Sequence, residues 1–209
     1  VVGLAGASFG HVISFATEFW QSHNYTLYLL PLFGLIIAAL YHFINADNPR
    51  GTNWVIDSIS SGETIPLKMA PAIYISSFLT HLGCGSAGRE GAALQIGGSL
   101  GNFIGRKLKL GQTSFSDKAD INIAIMCGMA SCFSALFGTP ISASIFSMEI
   151  FSVGVMYHAA LIPCLLSSYI AVYVAKLVNT PVEKFIMQRA PEWNFRLIGF
   201  MILLAALTA

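Results

Sequence analysis

All-α and integral to a membrane is the fold class this sequence predicts, and three observations carry it. Hydrophobic residues make up 55% of the chain and charged residues only 10%, with a mean hydropathy of +0.69, a balance foreign to ordinary soluble domains. The apolar residues gather into stretches separated by short polar connections, as lipid-embedded helices require. No segment alternates apolar and polar residues with turn signals at barrel spacing, which argues against membrane strands. A formal charge of +1 gives no basis for a nucleic-acid or polyanion partner.

The apolar stretches fall at 1–20, 27–46, 66–84, 91–105, 121–137, 140–156, 157–177 and 194–209. The chain has no initiator Met, opens in Val1-Val2-Gly3-Leu4-Ala5 and stops in Leu203-Leu204-Ala205-Ala206-Leu207. It therefore reads as a piece of a longer protein, cut inside membrane helices. Spanning a bilayer takes about 20 residues, and the stretch at 91–105 falls short. Short hydrophobic segments interrupted by Gly or Pro point to broken and re-entrant helices, which place helix ends at mid-membrane. Pro140 suits the first turn of a new helix. The polar connections, Gln21 to Tyr25, Asp47 to Ile65, Arg106 to Asp120 and Asn179 to Trp193, are too short for a soluble domain. Arg106, Lys107 and Lys109 favour the cytoplasmic side for their connection.

Gly97, Gly101 and Gly105 recur every fourth residue, so they line one helix face and allow a neighbouring backbone to approach. Ala124, Gly128 and Ala135, with Ser131 and Cys132 between them, play the same part in the next helix. The four cysteines have no CxxC spacing and read as small buried hydrophobes. His11, His42, His81 and His158 are scattered without metal-ligand spacing, so they read as helix-packing or interfacial residues. No metal or organic cofactor is expected, and no Gly-Lys-Ser/Thr phosphate loop is present.

The chemistry concentrates in Gly85-Ser86-Ala87-Gly88-Arg89-Glu90-Gly91-Ala92-Ala93-Leu94-Gln95-Ile96-Gly97-Gly98. An arginine and a glutamate at membrane depth are expensive and functional by default. The flanking glycines let backbone N–H groups approach a small ligand, and a helix beginning there presents bare amides to an anion. Glu90 is an anion of the protein's own that a proton can neutralise, which points to anion transport coupled to or gated by protons. A second run, Gly128 to Pro140, continues through Ile145-Phe146-Ser147-Met148-Glu149. Glu149 reads as either a proton relay or a satisfied buried acid. A distant alternative is an intramembrane hydrolase built on Ser86 with His81 or His158 as base. Cys84 stands where the Gly-x-Ser-x-Gly pattern needs glycine.

Together the two runs resemble the CLC family of chloride channels and chloride/proton antiporters, the first its GREGP-x-VQIG signature and the second its Phe-Pro-Glu-bearing partner motif. The resemblance runs along nearly the whole chain and implies an inverted-repeat fold, with the first repeat over 1–177 and the start of the second over 190–209. It implies a transporter and not an enzyme, built as a homodimer through the helices near 140–177 and sitting as a multi-pass protein in the cell (plasma or inner) membrane. Glu90 would be the gating and proton-accepting glutamate. Gly88, Arg89, Gly91, Ala92 and Ala93 would line the anion path.

Three departures sharpen the resemblance. The family's GSGIP loop is replaced by Pro49-Arg50-Gly51-Thr52-Asn53, the proline after GREG is Ala92, and Ile150 follows Glu149. All three look like the fluoride-exchanging branch, which exports fluoride in exchange for protons. Gly51, Thr52 and Asn53 would then add to the anion site, Thr52 and Asn53 by direct contact or by a helix-cap or loop hydrogen bond. The expected partners are fluoride or chloride, protons, the lipid bilayer and a second copy of the chain. The alternative within the family is a chloride channel or chloride/proton antiporter.

Overall fold

The computed structural model describes residues 1–44, 65–108, 117–150, 157–182 and 194–208. These residues form helices α1 (Val2–Ser22), α2 (Leu30–Phe43), α3 (Met69–Leu82), α4 (Arg89–Lys107), α5 (Asp117–Phe137), α6 (Pro140–Glu149), α7 (Leu161–Leu177) and α8 (Phe195–Thr208). Short 3-10 segments over Asn24–Leu29 and His158–Ala160 lead into α2 and α7. The described residues contain no strand. Tyr25–Phe43, Asp120–Phe137 and His158–Leu177 are long and apolar enough to cross a membrane. The segment expected at 91–105 lengthens to 19 residues in α4 because Arg89, Glu90, Arg106 and Lys107 join its ends.

α5 is the central helix, packed against α1, α4, α6 and α7. Residues without side chains bring it that close. A β-carbon on Gly97 would come within 2.5 Å of the Gly128 carbonyl oxygen, and one on Gly101 within 2.5 Å of the Ala124 carbonyl oxygen. A β-carbon on Gly128 would collide in turn with the Gly97 carbonyl. Two backbones in contact maximise dispersion, which drives helix association where lipid competes for apolar surface. Ala135 faces Gly6 of α1, where a β-carbon would stand 3.1 Å from the Ala135 methyl group.

Two apolar clusters flank this seam. Phe9, Ile13, Met69, Ile73, Ile96 and Leu136 join α1, α3, α4 and α5. On the other side, Leu94, Ile125, Met126, Met129, Met148 and Cys164 join α4 to α7. Several buried polar groups are paired: Ser134 Oγ donates to Ser168 O at 3.0 Å, Asn102 Nδ2 to Ile65 O at 2.9 Å and Ser99 Oγ to Pro66 O at 3.0 Å.

Helix breaks follow local chemistry. Gly138 takes φ +70°, a left-handed conformation that glycine adopts without penalty. Pro140 then occupies the first turn of α6, where its missing N–H costs nothing. The C-terminus of α3 breaks the expected pattern. The left-handed residue is Cys84 (φ 62°) instead of Gly83. Cys84 N–H donates to His81 O at 3.1 Å and Gly85 N–H to Thr80 O at 2.8 Å, the paired bonds of a Schellman ending.

Candidate functional site

The Schellman ending of α3 turns the chain directly into the run that opens α4. Gly85 packs under Thr80, whose carbonyl oxygen would lie 2.9 Å from an added β-carbon, so the tight return requires glycine there. Gly88 follows in extended conformation (φ −67°, ψ 141°) as the residue preceding α4. Having no side chain, it leaves the helix start without a side-chain cap.

Helix geometry decides which amides remain for a ligand. The first four N–H groups of a helix have no intrahelical acceptor, which here means Gly88, Arg89, Glu90 and Gly91. The amides of Ala92 and Ala93 are committed to carbonyls one turn back, and their methyl groups are buried in the cluster with Phe9, Met69 and Ile73. Of the expected anion-lining positions, Gly88, Arg89 and Gly91 therefore carry N–H groups of the first turn, and Ala92 and Ala93 do not.

Glu90 lies in the first turn of α4 with an exposed side chain. Its carboxylate folds back over the helix start, so that a β-carbon on Gly88 would stand 2.8 Å from Oε2. Negative charge there is favoured by the N–H groups of the first turn and the helix dipole. Arg89 is half-buried beside it.

Beneath this helix start lies a cavity of about 240 Å³ between α2, α3 and α4, whose walls include Gly88, Gly91, Ala92 and Gln95 of α4. Tyr41 reaches it from α2, and Ser76 and Ser77 from α3. Sequence reading missed these polar contributors. The available signal was Ser76-Ser77 inside an apolar helix and Gln95 one turn beyond Gly91, where its Nε2 donates to Gly91 O at 3.2 Å. A larger cavity of about 570 Å³ between α1, α4, α5 and α7 is mostly apolar and touches no residue of the α4 start.

The other candidates separate from this site. Glu149 ends α6 with an exposed side chain, while its neighbours Ser147 and Met148 are buried. Within this chain, the helix face that carries Glu149 turns away from α5 and α7. Glu149 does not line the cavity at the α4 start. Gly51, Thr52 and Asn53 lie outside the described residues. Ser86 is exposed, and His81 commits Nδ1 to the Ser77 carbonyl at 2.7 Å within its own helix. That arrangement lends no support to a hydrolytic pair.

Known proteins agree with this architecture. Residues 33–209 match the family model described as "Voltage gated chloride channel". Over 172 residues the chain is 32% identical to the chloride/fluoride channel protein of Pseudomonas syringae pv. tomato, covering 82% of this chain and 37% of that protein. Over 181 residues it is 22% identical to an uncharacterized protein of Methanocaldococcus jannaschii, covering 86% of this chain and 43% of that one. The chain thus spans less than half the length of these curated relatives. The fold is similar to the crystal structure of a CLC-type fluoride/proton antiporter, with a TM-score of 0.85 and 28% identity, over 99% of this chain and 51% of the other. With an all-helical membrane fold, a glycine-flanked helix start and a family match over most of its length, the chain belongs to the voltage-gated chloride channel (CLC) family.

Proposed function

We propose that this chain is the first repeat, roughly 1–177, and the start of the second, from about 190, of a secondary-active transporter that exports fluoride in exchange for protons. The observation that carries the reading is a titratable carboxylate, Glu90, folded over the uncapped start of α4. Ionised, the carboxylate competes with a halide for the amides of 88–91; protonated, it loses its attraction for them and leaves the anion room. One proton taken up therefore trades places with one claim on the anion site, which is the elementary event of exchange.

Fluoride is favoured by Ala92 and Ile150 at two of the three departure positions. It is favoured also by the likeness to a chloride/fluoride channel protein and a fluoride/proton antiporter. Fluoride is small and strongly hydrated, so its site must replace lost water with donors. Gly51, Thr52 and Asn53 are assigned to the same path. A second copy docks on α6 and α7, whose exposed Ile141, Ile145, Phe146, Ile162, Leu166 and Tyr169 give the apolar surface an obligate interface needs. The protein crosses the cell membrane several times. A chloride channel or chloride/proton antiporter is the second reading.

Proteoliposomes holding the full-length protein test the proposal. A fluoride gradient is expected to drive protons uphill, with chloride moving more slowly. Chloride turnover equal to that of fluoride would overturn the ion assignment, and fluoride flux without proton pumping would leave a channel. Glu90→Gln is expected to abolish proton coupling, and unchanged coupled exchange in that variant would remove Glu90 from the mechanism.

A further inference from the structure

Ser76 holds a hydroxyl that the fold has buried without a partner. The residue is 9% exposed, and its Oγ has no hydrogen-bond partner among the described residues. The buried hydroxyls of Ser99, Ser134, Ser144 and Ser147 all have one. Leaving a buried hydroxyl unsatisfied costs about 1–3 kcal/mol, so an unpaired one calls for an explanation.

The usual remedy lies one turn back, since a serine or threonine inside a helix can donate to the carbonyl of residue i−4. Thr17 does so to Ile13 O at 2.9 Å and Thr80 to Ser76 O at 2.8 Å. Ser76 makes no such bond to Ala72 and instead belongs to the wall of the cavity beneath α4.

That cavity is rich in donors and, among the described residues, has no charged side chain in its wall. Ser76, Ser77 and Tyr41 bring hydroxyls, and Gly88 and Gly91 bring amides from the uncapped helix start. Its volume of about 240 Å³ exceeds the share of a single water, about 30 Å³, and so accommodates an anion that keeps part of its hydration. A surplus of neutral donors without a fixed counter-charge suits a small anion better than a cation or an apolar guest.

From these observations we infer that the Ser76 hydroxyl is a halide ligand, donating across the cavity to an anion held also by the amides at the start of α4. This rests on the anion-transport reading above and adds a residue on α3 that determines affinity and ion preference. A hydroxyl donor favours the ion with the denser charge, so its removal penalises fluoride more than chloride.

The test is isothermal titration of the purified full-length protein with sodium fluoride and, separately, sodium chloride. Ser76→Ala is expected to weaken fluoride binding about 10- to 100-fold, the equivalent of one hydrogen bond to a charged group. It should lower the fluoride-to-chloride affinity ratio as well. Ser76→Thr, which keeps the hydroxyl, is expected to restore both. Fluoride affinity within twofold of the wild type in Ser76→Ala overturns the inference and assigns the hydroxyl to water. That outcome leaves the transport reading standing when the wild type still exchanges fluoride for protons. A wild type that neither binds nor moves halide overturns both. Where Ser76→Ala fails to fold, Ser76→Cys carries the test: a lowered ratio supports the inference and an unchanged ratio overturns it.

Discussion

The α4–α5 seam and the outward faces of α2 and α8 use the same residue for opposite ends. In the seam, Gly97, Gly101 and Gly128 stand where a β-carbon would strike a facing backbone. Gly34 in α2 and Gly199 in α8 have nothing within 4 Å of the same hypothetical atom. The surroundings invert too. The interior buries Ser99, Asn102, Ser134 and Ser168, while α2 and α8 expose Leu32, Leu35, Ile202 and Leu204. In water such a distribution would be unstable. Here lipid, or protein beyond this chain, covers the apolar faces, and the interior is chosen for close approach and paired polarity. A glycine's meaning in this chain is set by its neighbour.

The comparison breaks most easily at Gly128. Gly128→Val is expected to destabilise the full-length protein by about 3 kcal/mol through overpacking that no rotamer relieves, read from the thermal midpoint in detergent. A midpoint matching wild type would mean that the seam opens at little cost. Cys84 sharpens the comparison from another side, since its backbone asks for glycine and does not have one. Cys84→Gly is expected to stabilise by about 1 kcal/mol by removing the left-handed penalty of a β-carbon, and a lower midpoint would assign the thiol a packing role. The smallest effect belongs to Gly34→Ala, with a change below about 1 kcal/mol in the stabilising direction. A clear loss there would show that protein closely covers this face of α2 in the whole molecule.

Much of this architecture was legible because membrane sequences spend their few polar and small residues where contacts or ligands are. The fourfold glycine spacing in α4 announced its packing face, Pro140 announced a new helix, and Glu90 stood out as a charge in an apolar setting. What stayed hidden depends on distance in space. The cavity joins Tyr41, Ser76 and Gly88 from three helices, and no local pattern links them. Ser76 looks like any helical serine until its missing partner is seen. The helical period alone did not reveal that Glu149 faces outward, because nothing in the sequence says which face of α6 meets α5 and α7. At Cys84 the residue type points away from the conformation it adopts, with Gly83 as the decoy.

The glycine seam also governs mechanics. Sliding or rolling α4 against α5 would drive carbonyls into the opposing backbone at Gly97, Gly101 and Gly128, so α4 is a fixed post. In the exchange proposed for this protein, the moving part is then the Glu90 side chain swinging on its own torsions. Exposed side chains reorient in picoseconds to nanoseconds, whereas helices shift in microseconds or longer. A gate so light adds no delay of its own, and the pace of exchange falls to the arrival of the next proton and the next ion.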